Sequence, residues 1–79
     1  MITIKNLLNK IKWDKRENPN QYIIFYFDRI EKELTQIPYT KIKRLEGIFM
    51  VLNNEEETNI PLHRIKRVMK NDIVVWERK

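Results

Sequence analysis

An α+β fold is predicted: one N-terminal helix packed on a strongly bent antiparallel sheet, or small barrel, of about five to seven short strands. Three features of the sequence point to it. One segment, near the start, carries helical periodicity. Most of the other apolar residues fall in short β-branched and aromatic runs. Finally, "IPYTKIKRL", residues 37–45, returns as "IPLHRIKRV", residues 60–68, so that one backbone device is used twice.

In "ITIKNLLNKIKW", Ile4, Leu7, Leu8 and Ile11 follow the i, i+3, i+4, i+7 spacing of one helical face. Thr3 is the expected N-cap, with Ile2 and Leu7 placed to form a hydrophobic staple. The helix should cover residues 3–13 and lay its apolar stripe on the sheet. "DKRENPN" ends it, because Pro19 among Asn and charged residues suits neither helix nor ladder. "YIIFYFDR", residues 22–29, reads as the central strand, buried on both faces or covered by the helix on one. "RIEKEL" is a hairpin connection, and "TQIPY" stays extended because the residue before Pro38 is pushed out of the helical region. The same holds for "TNIPL" around Pro61. "IFMVL" and "IVVW" are two further strands, and Gly47 in "EGI" supports a hairpin.

Two copies of a repeat are too few for a solenoid but enough for two successive sheet corners. Within each copy, Ile42 and Leu45, or Ile65 and Val68, stand three apart. That spacing fits either a single helical turn after the Pro or a bulged strand. The first amides of a turn lack intrahelical partners and can hold an anion. The copies differ where chemistry is concerned: Thr40 and Lys41 in the first become His63 and Arg64 in the second.

A chain of 79 residues makes one domain, residues 1–79, with one modest core. Without cysteine there is no disulfide framework and no thiolate metal site, and with a single histidine a metal would need mostly carboxylates. No apolar run approaches the roughly 20 residues needed to cross a bilayer, and Lys interrupts the N-terminal segment too often for a signal peptide. The expected setting is the cytoplasm, with no membrane partner. Sixteen Lys and Arg against eleven acids leave a net charge of +5, which suits a partner bearing phosphates. The cations are clustered: Lys10, Lys12, Lys15 and Arg16 early, Lys41, Lys43 and Arg44 midway, Arg64, Lys66, Arg67 and Lys70 late. Glu55, Glu56 and Glu57 form a separate acidic loop tip.

His63 beside Arg64 is the sharpest candidate pair, since an imidazole exchanges a proton near neutrality and a guanidinium forks onto two phosphate oxygens. The bland alternative is a histidine satisfying a turn carbonyl with Arg64 on the surface. Cleaving a phosphodiester with side chains alone wants an acid and a base on opposite sides of phosphorus, and one histidine supplies half of that. No Gly-rich phosphate loop, nucleophile–base motif or metal-spaced cluster occurs. Asp28 and Arg29 form either an ion pair at a sheet edge or a phosphate contact. Trp13 and Trp76 are expected to be buried, although an exposed indole would stack on a base, and Tyr22, Tyr26 and Tyr39 are core or rim.

Read together, "IKWD" after the helix, "YFDR" ending the aromatic strand, "IPLHRI" and the closing "VVWER" resemble the small RNA cyclic group end recognition domain. That domain is found as stand-alone archaeal proteins and as a module joined to RNA-processing domains. The resemblance covers residues 11–78. It implies a module that binds RNA ends carrying a 2′,3′-cyclic phosphate, in RNA repair or processing. The matching polar positions are Asp14, Asp28, Arg29, His63, Arg64 and Arg78, with Trp13 and Trp76 as aromatic members. Many relatives have Gly before the Y-x-D-R motif where this chain has Phe25, which affects the shape of the first hairpin.

The expected site is therefore His63, Arg64, Arg29, Arg78 and Lys66 for phosphate or RNA, Trp13, Tyr26 and Trp76 for base stacking or pocket walls, and Asp14 and Asp28 in support. No cofactor or metal is called for, and the partner is an RNA 3′ end. Two alternatives remain: a small metal-independent phosphoesterase acting on the same end, or an adapter for an RNA ligase or nuclease.

Overall fold

The structure is a computed structural model and describes residues 2–78. Helix α1 runs Ile4–Trp13, and Thr3 caps it by accepting the Asn6 N–H at 3.2 Å. Its buried residues are Ile4, Leu7, Leu8 and Ile11, the four selected by the periodicity. It ends where the Asp14 N–H closes on the Lys10 carbonyl at 2.8 Å, and Asp14 then turns its carboxylate to Arg16 at 3.1 Å. That contact holds the Asp14 carboxyl below its ordinary range. A single 3₁₀ turn, Pro19–Gln21, leads into the strands.

Seven strands follow: β1 (Tyr22–Asp28), β2 (Glu33–Pro38), β3 (Ile42–Glu46), β4 (Phe49–Leu52), β5 (Asn59–Pro61), β6 (Ile65–Lys70) and β7 (Ile73–Glu77). They form two antiparallel sheets, a four-stranded one in the order β2-β1-β6-β7 and a three-stranded one in the order β3-β4-β5. The sheets do not close into a barrel, so of the two architectures expected the bent, open one is adopted. The two IP repeats are the crossings between the sheets. After Pro38 the chain leaves the larger sheet for the smaller, and after Pro61 it returns. Each crossing is one 3₁₀ turn, Tyr39–Lys41 or Leu62–Arg64, and the strand that follows is irregular at Lys43 or Lys66, so turn and bulge occur in succession. Each proline stands one position before its turn, with φ near −69° and −59°, and ends the preceding strand.

β1 is central, as expected, and is covered on one face only. Tyr22 and Ile24 point inward, whereas Ile23, Phe25 and Phe27 lie on the half-exposed outer face. The core between the sheets and under α1 contains Leu8, Ile24, Met50, Ile65 and Val68, all fully buried. Each such side chain contributes about 1.5–3 kcal/mol relative to exposure. An irregularity opposite Phe25 and Tyr26 lets β6 carry Lys66 as an extra residue, so Ile65 can face the core while Lys66 is exposed. Gly47 holds the tip between β3 and β4 at φ +60°, a conformation that favours glycine. No helix of the described residues is long and apolar enough to cross a membrane.

Candidate functional site

The second crossing is pinned on both sides. Leu62 is buried and donates its N–H to the Ile48 carbonyl at 2.8 Å. From β7, Arg78 donates to the carbonyls of Ile65 at 3.0 Å and Leu62 at 3.4 Å, with its guanidinium 5.1 Å from the centre of the Trp76 ring. His63 and Arg64 project from this fixed turn into different cavities. Arg64 lines a cleft of about 210 Å³ with Tyr26, Asp28, Arg29, Ile30, Thr58, Asn59 and Ile60. His63 lines a second cavity, of about 340 Å³, with Ile4, Lys5, Gly47, Ile48, Leu62 and Arg78.

Among the arginines of the described residues, those left available are in the cleft. Of the six arginines, Arg16, Arg44 and Arg67 are engaged by Asp14, Glu46 and Glu77, and Arg78 by the turn carbonyls. Among the described residues Arg29 and Arg64 have no ion pair, hydrogen bond or cation–π contact, and both line the same cleft. Arg29 sits on the turn between β1 and β2. Asp28 builds that turn, its Oδ1 accepting the N–H groups of Ile30 at 2.9 Å and Glu31 at 3.2 Å. Asp28 therefore positions Arg29 through the backbone, and the two side chains make no ion pair. Burial, and then the Asp28 charge, push the Tyr26 phenol above its ordinary value. It stays protonated at neutral pH and can donate a hydrogen bond into the cleft. Among the described residues no group of three or more His, Asp or Glu side chains is placed to hold a metal ion.

The first crossing has the same backbone and different surroundings. The 3₁₀ turn Pro19–Gln21 packs on it, and the Tyr39 hydroxyl donates to the Leu8 carbonyl at 3.0 Å. The cations after it are bound internally, with Glu57 3.5 Å from Lys43 and 3.2 Å from Arg44. Thr40 and Lys41 are exposed there and line neither cavity.

Of the residues expected at the site, Arg29, Arg64, Tyr26 and Asp28 are brought together. His63 and Arg78 lie on the other side of the turn. Lys66 is the exposed extra residue of β6, and Asp14 is committed to Arg16 at the end of α1. Trp76 is buried, as expected of both tryptophans: it is 8% exposed, its indole N–H donates to the Ile2 carbonyl at 3.0 Å, and it lines neither cavity. The expectation that Trp13 is buried is overturned. It is 73% exposed at the end of α1, with the Lys12 ammonium 5.0 Å above its ring, because the helix's apolar stripe ends at Ile11. Sequence reasoning missed Thr58, Asn59 and Ile60 as cleft walls, although "TNIP" directly precedes the turn.

Comparison with known proteins gives a consistent picture. Residues 1–78 match the MJ1316 RNA cyclic group end recognition domain. A UPF0248 protein of Metallosphaera sedula is 35% identical over 77 residues, covering 98% of this chain and 94% of the relative. A UPF0248 protein of Saccharolobus islandicus is 32% identical over 78 residues, covering 95% of this chain and 98% of its own. No solved structure matches.

Proposed function

Because the chain belongs to the MJ1316 RNA cyclic group end recognition domain family, we propose that the cleft between Arg29 and Arg64 binds an RNA 3′ end through its 2′,3′-cyclic phosphate. The observation that carries this reading is the pairing of cations: the two arginines without an internal partner among the described residues line one concavity. Their guanidinium groups supply forked donors for the non-bridging phosphate oxygens. The protonated Tyr26 hydroxyl adds a donor to a phosphate or ribose oxygen, and its ring offers an apolar wall to the sugar or base. Binding fits better than turnover. The cleft's other titratable side chains are Tyr26, held protonated, and Asp28, tied into its turn, while His63 opens elsewhere. In this reading the protein presents RNA ends to a ligase, nuclease or other processing enzyme.

The test is a titration with oligonucleotides identical except for a 2′,3′-cyclic phosphate or a 3′-hydroxyl end. The cyclic end should bind at least tenfold more tightly, and Arg64→Ala should erase the difference. Equal affinities with equal salt dependence would reduce the protein to a nonspecific basic surface.

A further inference from the structure

The cavity on the other face of the turn is not explained by recognition of the end group. Its floor is aliphatic, from Ile4, Ile48 and Leu62, and among the described residues its charged or titratable lining side chains are Lys5, His63 and Arg78, with no carboxylate. Arg78 is committed to the turn carbonyls, whereas Lys5 and His63 have no internal ion pair or hydrogen bond among the described residues. Ile48 is 65% exposed. We infer that this cavity is a second RNA subsite, which takes the nucleotide preceding the terminal one, with its sugar and base on the aliphatic floor and a backbone phosphate at Lys5 and His63. The inference rests on the reading of the first cleft as the end-binding site.

Continuity and charge argue for it. Arg64 and His63 are consecutive, so a strand whose last phosphate is at Arg64 reaches the second cavity by crossing the single turn Leu62–Arg64. The other ways out are less favourable for a polyanion. Beyond Arg29 the turn and the start of β2 carry Glu31 and Glu33 against Lys32 alone, and beyond Thr58 the loop carries Glu55 and Glu56, with Glu57 already held by Lys43 and Arg44. The turn itself is held from below by Leu62 and Arg78, so the two subsites are fixed relative to each other before ligand arrives. The aspect of the repeat that distinguished its second copy thereby acquires a division of labour: Arg64 holds the end, and His63 holds the strand leading to it.

The experiment compares a nucleoside 2′,3′-cyclic monophosphate with trinucleotides ending in the same cyclic group or in a 3′-hydroxyl, against the wild-type protein and the variants Lys5→Ala, His63→Ala and Arg64→Ala. Thermal midpoints confirm that each variant is folded. Lys5→Ala and His63→Ala should each weaken the cyclic-ended trinucleotide about fivefold and leave the mononucleotide unchanged. Lys5→Ala should also flatten the trinucleotide's salt dependence by about 0.7 in log K against log salt, the loss of one single-strand phosphate contact. Arg64→Ala should weaken both ligands. Unchanged trinucleotide affinity in both Lys5→Ala and His63→Ala, or an equal loss for the mononucleotide, overturns the second subsite and leaves its aliphatic floor to a non-nucleic partner. Indifference to the end group, or an Arg64→Ala variant that binds the mononucleotide normally, instead overturns the end-binding reading. Failure of the wild-type protein to bind any of the three ligands overturns both.

Discussion

At the scale of single residues, the useful distinction is between cations that have been neutralised within the protein and cations that have not. Arg64 and Arg29 are in the second group, and replacing either by Ala should weaken binding of a cyclic-ended RNA by about 1.5–3 kcal/mol, the range for hydrogen bonds to charged groups. Thermal midpoints should hardly move. Lys41→Ala, at the matching position of the first copy, should cost at most about 1 kcal/mol of affinity, the worth of a solvent-screened contact. Titration against one RNA checks all three, and an equal loss for Lys41→Ala and Arg64→Ala would indicate a diffuse surface. Tyr22 behaves differently because its phenol is buried beside Glu17, to which it donates. Burial first, and the Glu17 bond second, push it from 10.0 up to about 12. Since the folded value lies above the unfolded one, this stabilisation is complete below pH 10 and fades as the pH rises toward 12. Tyr22→Phe should therefore flatten the alkaline limb of a stability-against-pH profile between those values. The Tyr22 hydroxyl, more than the neighbouring Lys70, holds Glu17 below its ordinary value. The Glu17 contribution is present above the unfolded value near 4.5 and is lost as the pH falls through the lower, folded one.

At the scale of elements, the two crossings share a backbone and diverge in what covers them. Both prolines end their strand with φ already close to the value the ring imposes. Pro38→Ala and Pro61→Ala should therefore each destabilise by about 0.4–1 kcal/mol, through the entropy of the unfolded chain. Chemical denaturation measures this, and a much larger loss at one corner would show that the copies are not structurally equivalent. Arg78 is the element-level device peculiar to the second crossing. Arg78→Ala strips two carbonyls of their donor and leaves Trp76 without its guanidinium neighbour, so it should cost about 1–3 kcal/mol of stability. It should also weaken RNA binding more than its distance from the first cleft suggests, because the turn carrying Arg64 loosens. Arg78→Lys should restore neither, since one ammonium does not reproduce a fork onto two carbonyls.

For the whole molecule, the net charge of +5 already counts the acids, and the ion pairs decide where the remaining cations are available. Arg16, Arg44 and Arg67 are paired with carboxylates, and Glu57 answers Lys43. Binding to a short cyclic-ended RNA should consequently show a shallow salt dependence, about −0.7 in log K against log salt for each phosphate contacted, summing to roughly −1.4 to −2 for one end and its neighbour. A slope of about −4 or steeper, measured with the same oligonucleotide from low to moderate salt, would mean that the basic clusters act as a continuous track.

Patterns that act over a few residues were legible in the chain alone. The helix and its buried stripe follow from spacing, the central strand from an uninterrupted β-branched and aromatic run, and both crossings from a repeated Ile-Pro preceding an apolar pair three apart. The form of the crossing was not legible, because a 3₁₀ turn and a bulge each account for an apolar pair three apart, and the structure uses both in succession. Nor was the separation of His63 from Arg64, since consecutive side chains on a tight turn point apart by an amount that depends on the turn. Trp76 is buried as expected and Trp13 is not, because an indole's exposure is set by what packs over it: the Ile2 carbonyl meets one, while the stripe of α1 stops short of the other. Tertiary structure alone decided which arginines remained available: a guanidinium is neutralised by whichever carboxylate or carbonyl the fold carries to it, and among the described residues the β1–β2 turn and the second crossing bring Arg29 and Arg64 into one cleft with no such partner.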